Sequence, residues 1–130
     1  NSPGNGIILF SASARNDIHI ALSDELCTKK PMYEIVVGGW SNTRSVIRKE
    51  SQGYIYKTSE KHINTYSAQK YWIKLDSSVQ TISVGYGDIP GEDTIIEWTD
   101  PKFLLNVQYF VFSSWDSDIS YSDIIISSLK

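Results

Sequence analysis

Apolar side chains recur at every second position along much of the chain. Ile18, Ile20 and Leu22 take one side of a run while Asp17, His19 and Ala21 take the other. A half-buried β-strand produces this spacing, because successive side chains point to opposite faces. Similar runs lie at 6–13, 17–23, 32–40, 44–49, 54–59, 70–76, 79–86, 94–98, 107–114 and 121–128. Breakers separate them. Ser41-Asn42 and Asp76-Ser77-Ser78 read as tight hairpin turns, and Gly87-Asp88-Ile89-Pro90-Gly91-Glu92-Asp93 reads as a longer loop in which Pro and Gly end the preceding strand. Many short strands at regular spacing predict an antiparallel sandwich or small barrel. The expected form is all-β, a jelly-roll-like β-sandwich with little or no helix. No internal repeat, low-complexity tract or second pattern interrupts it, so residues 1–130 read as a single domain.

Composition agrees with the pattern. Serine and isoleucine are the commonest residues, Tyr, Val, Thr and Trp are well represented, and Ala and Leu are scarce, a balance that favours pleated sheet. At 130 residues the chain buries roughly two-thirds of its unfolded surface and needs no covalent staple. Cys27 is the only cysteine, which excludes an intrachain disulfide and a paired-cysteine zinc site. A net charge of −3 with only short basic clusters, such as Arg48-Lys49, argues against nucleic-acid binding. Apolar runs of four or five residues, as at Tyr109-Phe110-Val111-Phe112, are far below the ~18 a spanning helix needs, so no membrane insertion is expected. Asn1 opens no charged n-region with an apolar h-region behind it; a targeting segment is expected to have been removed or to lie outside this sequence.

A resemblance emerges at one stretch. Asp17-Ile18-His19-Ile20-Ala21-Leu22-Ser23, followed by Tyr33-Glu34-Ile35-Val36-Val37-Gly38-Gly39-Trp40-Ser41-Asn42-Thr43-Arg44-Ser45-Val46-Ile47-Arg48, resembles the domain family named after farnesoic acid O-methyltransferase. Tyr71-Trp72-Ile73-Lys74-Leu75, Ile82-Ser83-Val84-Gly85-Tyr86-Gly87, Trp98-Thr99-Asp100-Pro101 and Phe112-Ser113-Ser114-Trp115 extend the match from about residue 8 to about residue 126. The resemblance implies a β-sandwich module of extracellular or cell-surface proteins. It is also similar to lectin-like sugar binders, including galactose-binding ones that use calcium.

The family's name promises an enzyme, and the residues argue against one. A methyltransferase using S-adenosylmethionine normally needs a doubly wound α/β core with a Gly-rich strand-to-helix turn. Here Gly85-Tyr86-Gly87 runs into Asp-Ile-Pro-Gly rather than into a helix-forming segment, so no S-adenosylmethionine site is expected. His19 and His62 have no neighbouring nucleophile motif, and a lone Cys27 reads as a small apolar group.

Charge is uneven. Residues 1–87 sum to +3 and residues 88–130 to −6. Much of the acid falls in two expected loops, one holding Asp88 and Asp93 and the other holding Asp116 and Asp118. Hard oxygen ligands of this kind could hold a calcium ion; ordinary turn chemistry also favours Asp there.

A sugar site needs an aromatic face for the pyranose C–H groups and polar side chains beside it for the hydroxyls. Trp115 ends a run and leads into Asp116, with Tyr121 beyond; Trp40 stands beside Asn42 and Arg44. Gly38-Gly39-Trp40 is also the pattern of a close-packed corner around a core indole, and that reading is the favoured one for Trp40. Trp72 and Trp98 read as structural. Arg44 and Arg48 share a strand face and could clamp an anion, though pairing with acids on the neighbouring strand is the favoured reading. Tyr54 and Tyr56 are expected to pack over that face.

Two functions remain open. One is a carbohydrate-binding module, calcium-assisted and of galactose type as the resemblance implies, binding glycans or glycoproteins and gaining avidity as a homo-oligomer. The other is a protein-interaction or self-assembly module without sugar. A carrier of lipophilic ligands, prompted only by the family's name, is disfavoured by strands that look filled on both faces.

Overall fold

A computed structural model describes residues 5–15, 17–23, 32–49, 55–101, 109–113 and 119–127. Among the described residues ten strands form in the order the alternation predicts: β1 (Gly6–Ala14), β2 (Ile18–Ser23), β3 (Met32–Gly38), β4 (Arg44–Lys49), β5 (Ile55–Ser59), β6 (Gln69–Asp76), β7 (Thr81–Tyr86), β8 (Thr94–Thr99), β9 (Tyr109–Ser113) and β10 (Ile119–Ser127). They make two five-stranded sheets, ordered β10-β1-β6-β7-β8 and β5-β4-β3-β2-β9, and every pairing is antiparallel.

The inner faces carry the alternating apolar set. Ile18, Ile20 and Leu22 of β2, with Tyr33, Ile35 and Val37 of β3, meet Phe10, Tyr71, Ile73, Ile82 and Val84 of the opposing sheet in one buried cluster. Each fully buried aliphatic or aromatic side chain here contributes about 1.5–3 kcal/mol. At the β9–β10 side, Phe112 and Tyr121 stand 4.4 Å apart and close the gap between the sheets. At the other side Tyr56 stacks on Trp98 at 5.2 Å.

The outer face of the first sheet is also partly covered. Trp72 points outward from β6 yet is fully buried, because the 87–93 loop folds over it and the Glu92 carbonyl accepts its indole N–H at 2.9 Å. Gly85 makes this possible: a Cβ at that position would collide with the indole ring. Trp72 and the half-buried Trp98 are therefore structural, as their positions in the alternation imply.

Two local expectations need correction. The β3–β4 connection is wider than a two-residue hairpin: it is a turn at Gly39–Asn42, left-handed at Trp40, Ser41 and Asn42, followed by Thr43. Tyr56 does not join the arginine face. The β4–β5 register slips between Ile47 and Arg48, so that Lys57 opposes Ile47 and Ile55 opposes Arg48. Tyr56 is the extra residue of a bulge, which turns it toward Trp98. Tyr54 lies outside the described residues.

Candidate functional site

The left-handed corner is the place where backbone geometry and side-chain chemistry meet. Gly38, Trp40, Ser41 and Asn42 have φ of 72°, 50°, 60° and 65°. For residues with a Cβ, the left-handed region costs about 1–2 kcal/mol each. Surrounding bonds hold them there. Thr43 N–H donates to the Gly39 carbonyl at 3.0 Å and Ile63 N–H to the Asn42 carbonyl at 3.0 Å; Thr43 Oγ1 donates to the Trp40 carbonyl at 2.6 Å, and Gly38 N–H to Ser45 Oγ at 3.1 Å.

Asn42 is the pin of this corner. With its amide nitrogen facing the surrounding oxygens, it donates to Ile63 O at 2.9 Å, Thr65 Oγ1 at 3.1 Å and Gly38 O at 3.2 Å. Thr65 in turn ties the corner to β1 through Ala14, whose N–H reaches Thr65 O at 2.7 Å. Gly38 has no room for a side chain: a Cβ would lie 2.7 Å from Thr65 Cγ2.

What the corner presents is Trp40. The favoured sequence reading made it a core indole; instead it is 45% exposed, because the glycines make space for the turn itself and the turn throws the side chain outward. Arg44 Cζ stands 5.0 Å from the centre of its ring and Arg48 Cζ 5.8 Å, within cation–π range. Arg48 is salt-bridged at 3.0 Å to Glu34 on the neighbouring strand, as strand pairing suggested. Its Nε is buried without a hydrogen-bond partner. Behind this pair His19 Nε2 meets Asp17 Oδ2 at 2.5 Å. Burial works to raise the Asp17 carboxyl, but the hydrogen bond and charge of His19, together with Arg48, hold it below its ordinary value.

Trp115, Asp116 and Asp118 lie outside the described residues. Tyr121 is half-buried among Phe10 and Phe112, its hydroxyl donating to the His19 carbonyl at 3.2 Å, and burial pushes that hydroxyl above the usual tyrosine range. Asp88 is exposed and sits 3.7 Å from Lys70 Nζ. Asp93 is exposed too, at φ 51°, with its carbonyl accepting Tyr86 N–H. Among the described residues no three His, Cys, Asp or Glu are grouped to hold a metal ion, and no helix is long and apolar enough to cross a membrane.

The sequence reading missed two clusters. The Asp17–His19 and Glu34–Arg48 pairs form the first; the signal was an acid or histidine on the outer positions of apolar runs. Tyr33, Lys49, Tyr56, Trp98 and Asp100 form the second. There Lys49 Nζ is 2.6 Å from Asp100 Oδ2 and 5.8–5.9 Å from three aromatic rings, and Tyr33 donates its hydroxyl to the same carboxylate at 2.7 Å.

A family model described as farnesoic acid O-methyl transferase matches residues 1–123. The chain belongs to the farnesoic acid O-methyltransferase family. A BTB/POZ domain-containing protein of Arabidopsis thaliana is 28% identical over 132 residues, an alignment covering 95% of this chain and 16% of the relative. The chain thus spans about a sixth of that protein's length. Among solved structures, the carbohydrate-binding module CBM66 from Bacillus subtilis matches with a TM-score of 0.72, covering 98% of this chain and 78% of that one at 10% identity. At that identity the likeness is one of fold. This farnesoic acid O-methyltransferase family member therefore has the β-sandwich architecture also found in a carbohydrate-binding module.

Proposed function

We propose that this domain binds carbohydrate rather than catalysing methyl transfer, and that the sugar rests on Trp40. The observation that carries the reading is an exposed indole held in a left-handed corner by its neighbours' hydrogen bonds, with Arg44 against its ring. A pyranose needs a rigid apolar face beside polar donors, and rigidity lowers the ordering cost of a weak single contact. The likeness of fold to a carbohydrate-binding module supports this reading. Galactose-type glycans are the first class to test. Oligomerisation would raise a weak affinity through avidity.

The test is a broad glycan array probed with the wild-type domain and with Trp40→Ala, each with millimolar calcium and with a chelator. Glycans sharing one terminal sugar should retain the wild type and lose the variant. Loss of signal with chelator would add calcium to the site, and silence from the wild type on every glycan would remove the sugar reading.

The interaction-module reading is favoured by one observation. Ile124, Ile125 and Ile126 are 44%, 56% and 52% exposed on β10, an edge strand of its sheet among the described residues, and an edge strand invites another strand. Ile125→Lys should abolish any oligomer seen by light scattering; an oligomer unchanged by it would exclude pairing through β10.

A further inference from the structure

We propose that the sugar taken at the Trp40 corner is acidic, a pyranose carrying a carboxylate as in a hexuronic acid. This rests on the sugar-binding reading of the same corner and names its substrate class. Two guanidinium groups lie 5.0 and 5.8 Å from the indole centre. The described carboxylates nearby are already paired, Glu34 with Arg48 at 3.0 Å and Asp17 with His19 at 2.5 Å. Arg44 has no carboxylate partner among the described residues. Stacking on an indole gives it cation–π attraction but no acceptor for its N–H donors. Arg48 adds a buried Nε–H with no partner.

A hexuronate answers the deficit at Arg44. Its C–H face can lie on Trp40 while its carboxylate, projecting from the ring edge, accepts from the Arg44 fork. That geometry is planar and bidentate, which guanidinium matches better than a neutral hydroxyl does. The salt bridge to Glu34 keeps Arg48 from competing for the same anion and fixes it beside the indole. The site remains selective for a sugar acid over a bare anion because the aromatic face supplies binding that a small anion cannot use.

The test compares oligogalacturonides and glucuronic-acid oligosaccharides, each as free acid and as methyl ester, with neutral galactose and glucose oligomers, by titration calorimetry. Esterification removes the charge and leaves the ring. The free acid should bind about tenfold or more tightly than its ester, the worth of one charge-assisted bond. In Arg44→Gln that ratio should fall to about one, and in Arg44→Lys a preference for the acid should persist. Thermal melts of both variants check that the corner still folds. Equal binding of acid and ester, or tighter binding of neutral oligomers, with affinity still lost in Trp40→Ala, would overturn the acidic-sugar inference and leave the sugar reading standing. No binding by any oligosaccharide would overturn both.

Discussion

Among the described residues, two places combine a tryptophan with a cation, and they differ in whether the combination is closed. At the β5–β8 edge Lys49 is neutralised by Asp100 at 2.6 Å, three rings surround its ammonium, and the Tyr33 hydroxyl takes the same carboxylate. The Asp100 side chain is only 4% exposed. At the β3–β4 corner Arg44 lies against an indole that is nearly half exposed, and no described carboxylate completes it. The first arrangement satisfies itself and holds two sheets together. The second spends hydrogen bonds on a left-handed backbone and leaves its side-chain chemistry facing outward. Aromatic and charged residue types alone do not mark a binding site; the distinction lies in which partners the fold has already supplied.

The comparison breaks most sharply at the closed cluster. Asp100→Asn leaves an ammonium enclosed without its counter-charge and should cost about 3 kcal/mol, lowering Tm by on the order of 10 °C, while sugar binding at the corner, which uses the neighbouring β3–β4 register pair Glu34–Arg48, persists at temperatures where the variant is folded. A loss well under ~1 kcal/mol in denaturant titration would mean the cluster is no more than a surface pair.

Gly38→Ala should come next. Its left-handed φ and the contact with Thr65 predict a loss of about 2 kcal/mol, and glycan retention should fall with it because the corner that aims Trp40 is displaced. Retention equal to wild type would show that presentation of the indole does not depend on the turn. Trp40→Ala, by contrast, should change stability by less than ~1 kcal/mol, since an exposed ring contributes little to the core; a large drop in Tm would return Trp40 to a structural role.

The smallest effect concerns Asp17. Its carboxyl is held below the ordinary 3.8 in the folded protein, so its contribution to stability is present above that value and is lost as pH falls through the lower, folded-state value. Unfolding titrations of wild type and Asp17→Asn should accordingly differ at pH 6 and converge as the pH falls past the folded-state value, below 3.8. Curves that stay parallel down to that pH would show that the His19 contact adds nothing to folding.

The strands were legible because the core-facing side alternates along them: β2 places Ile18, Ile20 and Leu22 in the core cluster, where period-two spacing put them, although its outward residues are buried as well. The corner was only half legible. Gly38-Gly39-Trp40 announces a tight place in the chain, but whether glycines clear space for an indole or for a turn depends on the backbone hand, and Asn42 looks the same as a sugar ligand or as the pin for Ile63 and Thr65. Tyr56 escaped because one bulged residue reverses the face of everything on its side of the slip. The Lys49–Asp100 pair joins β4 of one sheet to the residue just past β8 of the other, a separation that no local pattern records.

The most direct test follows the indole N–H and arginine Nε–H signals of the isotope-labelled domain by NMR during titration with oligogalacturonide. The account predicts that Trp40 and Arg44 shift in a saturable way while Trp72 and Trp98 stay in place. Shifts confined to Trp98 and its neighbours, with Trp40 unmoved, would contradict it and transfer the binding role to the β5–β8 edge.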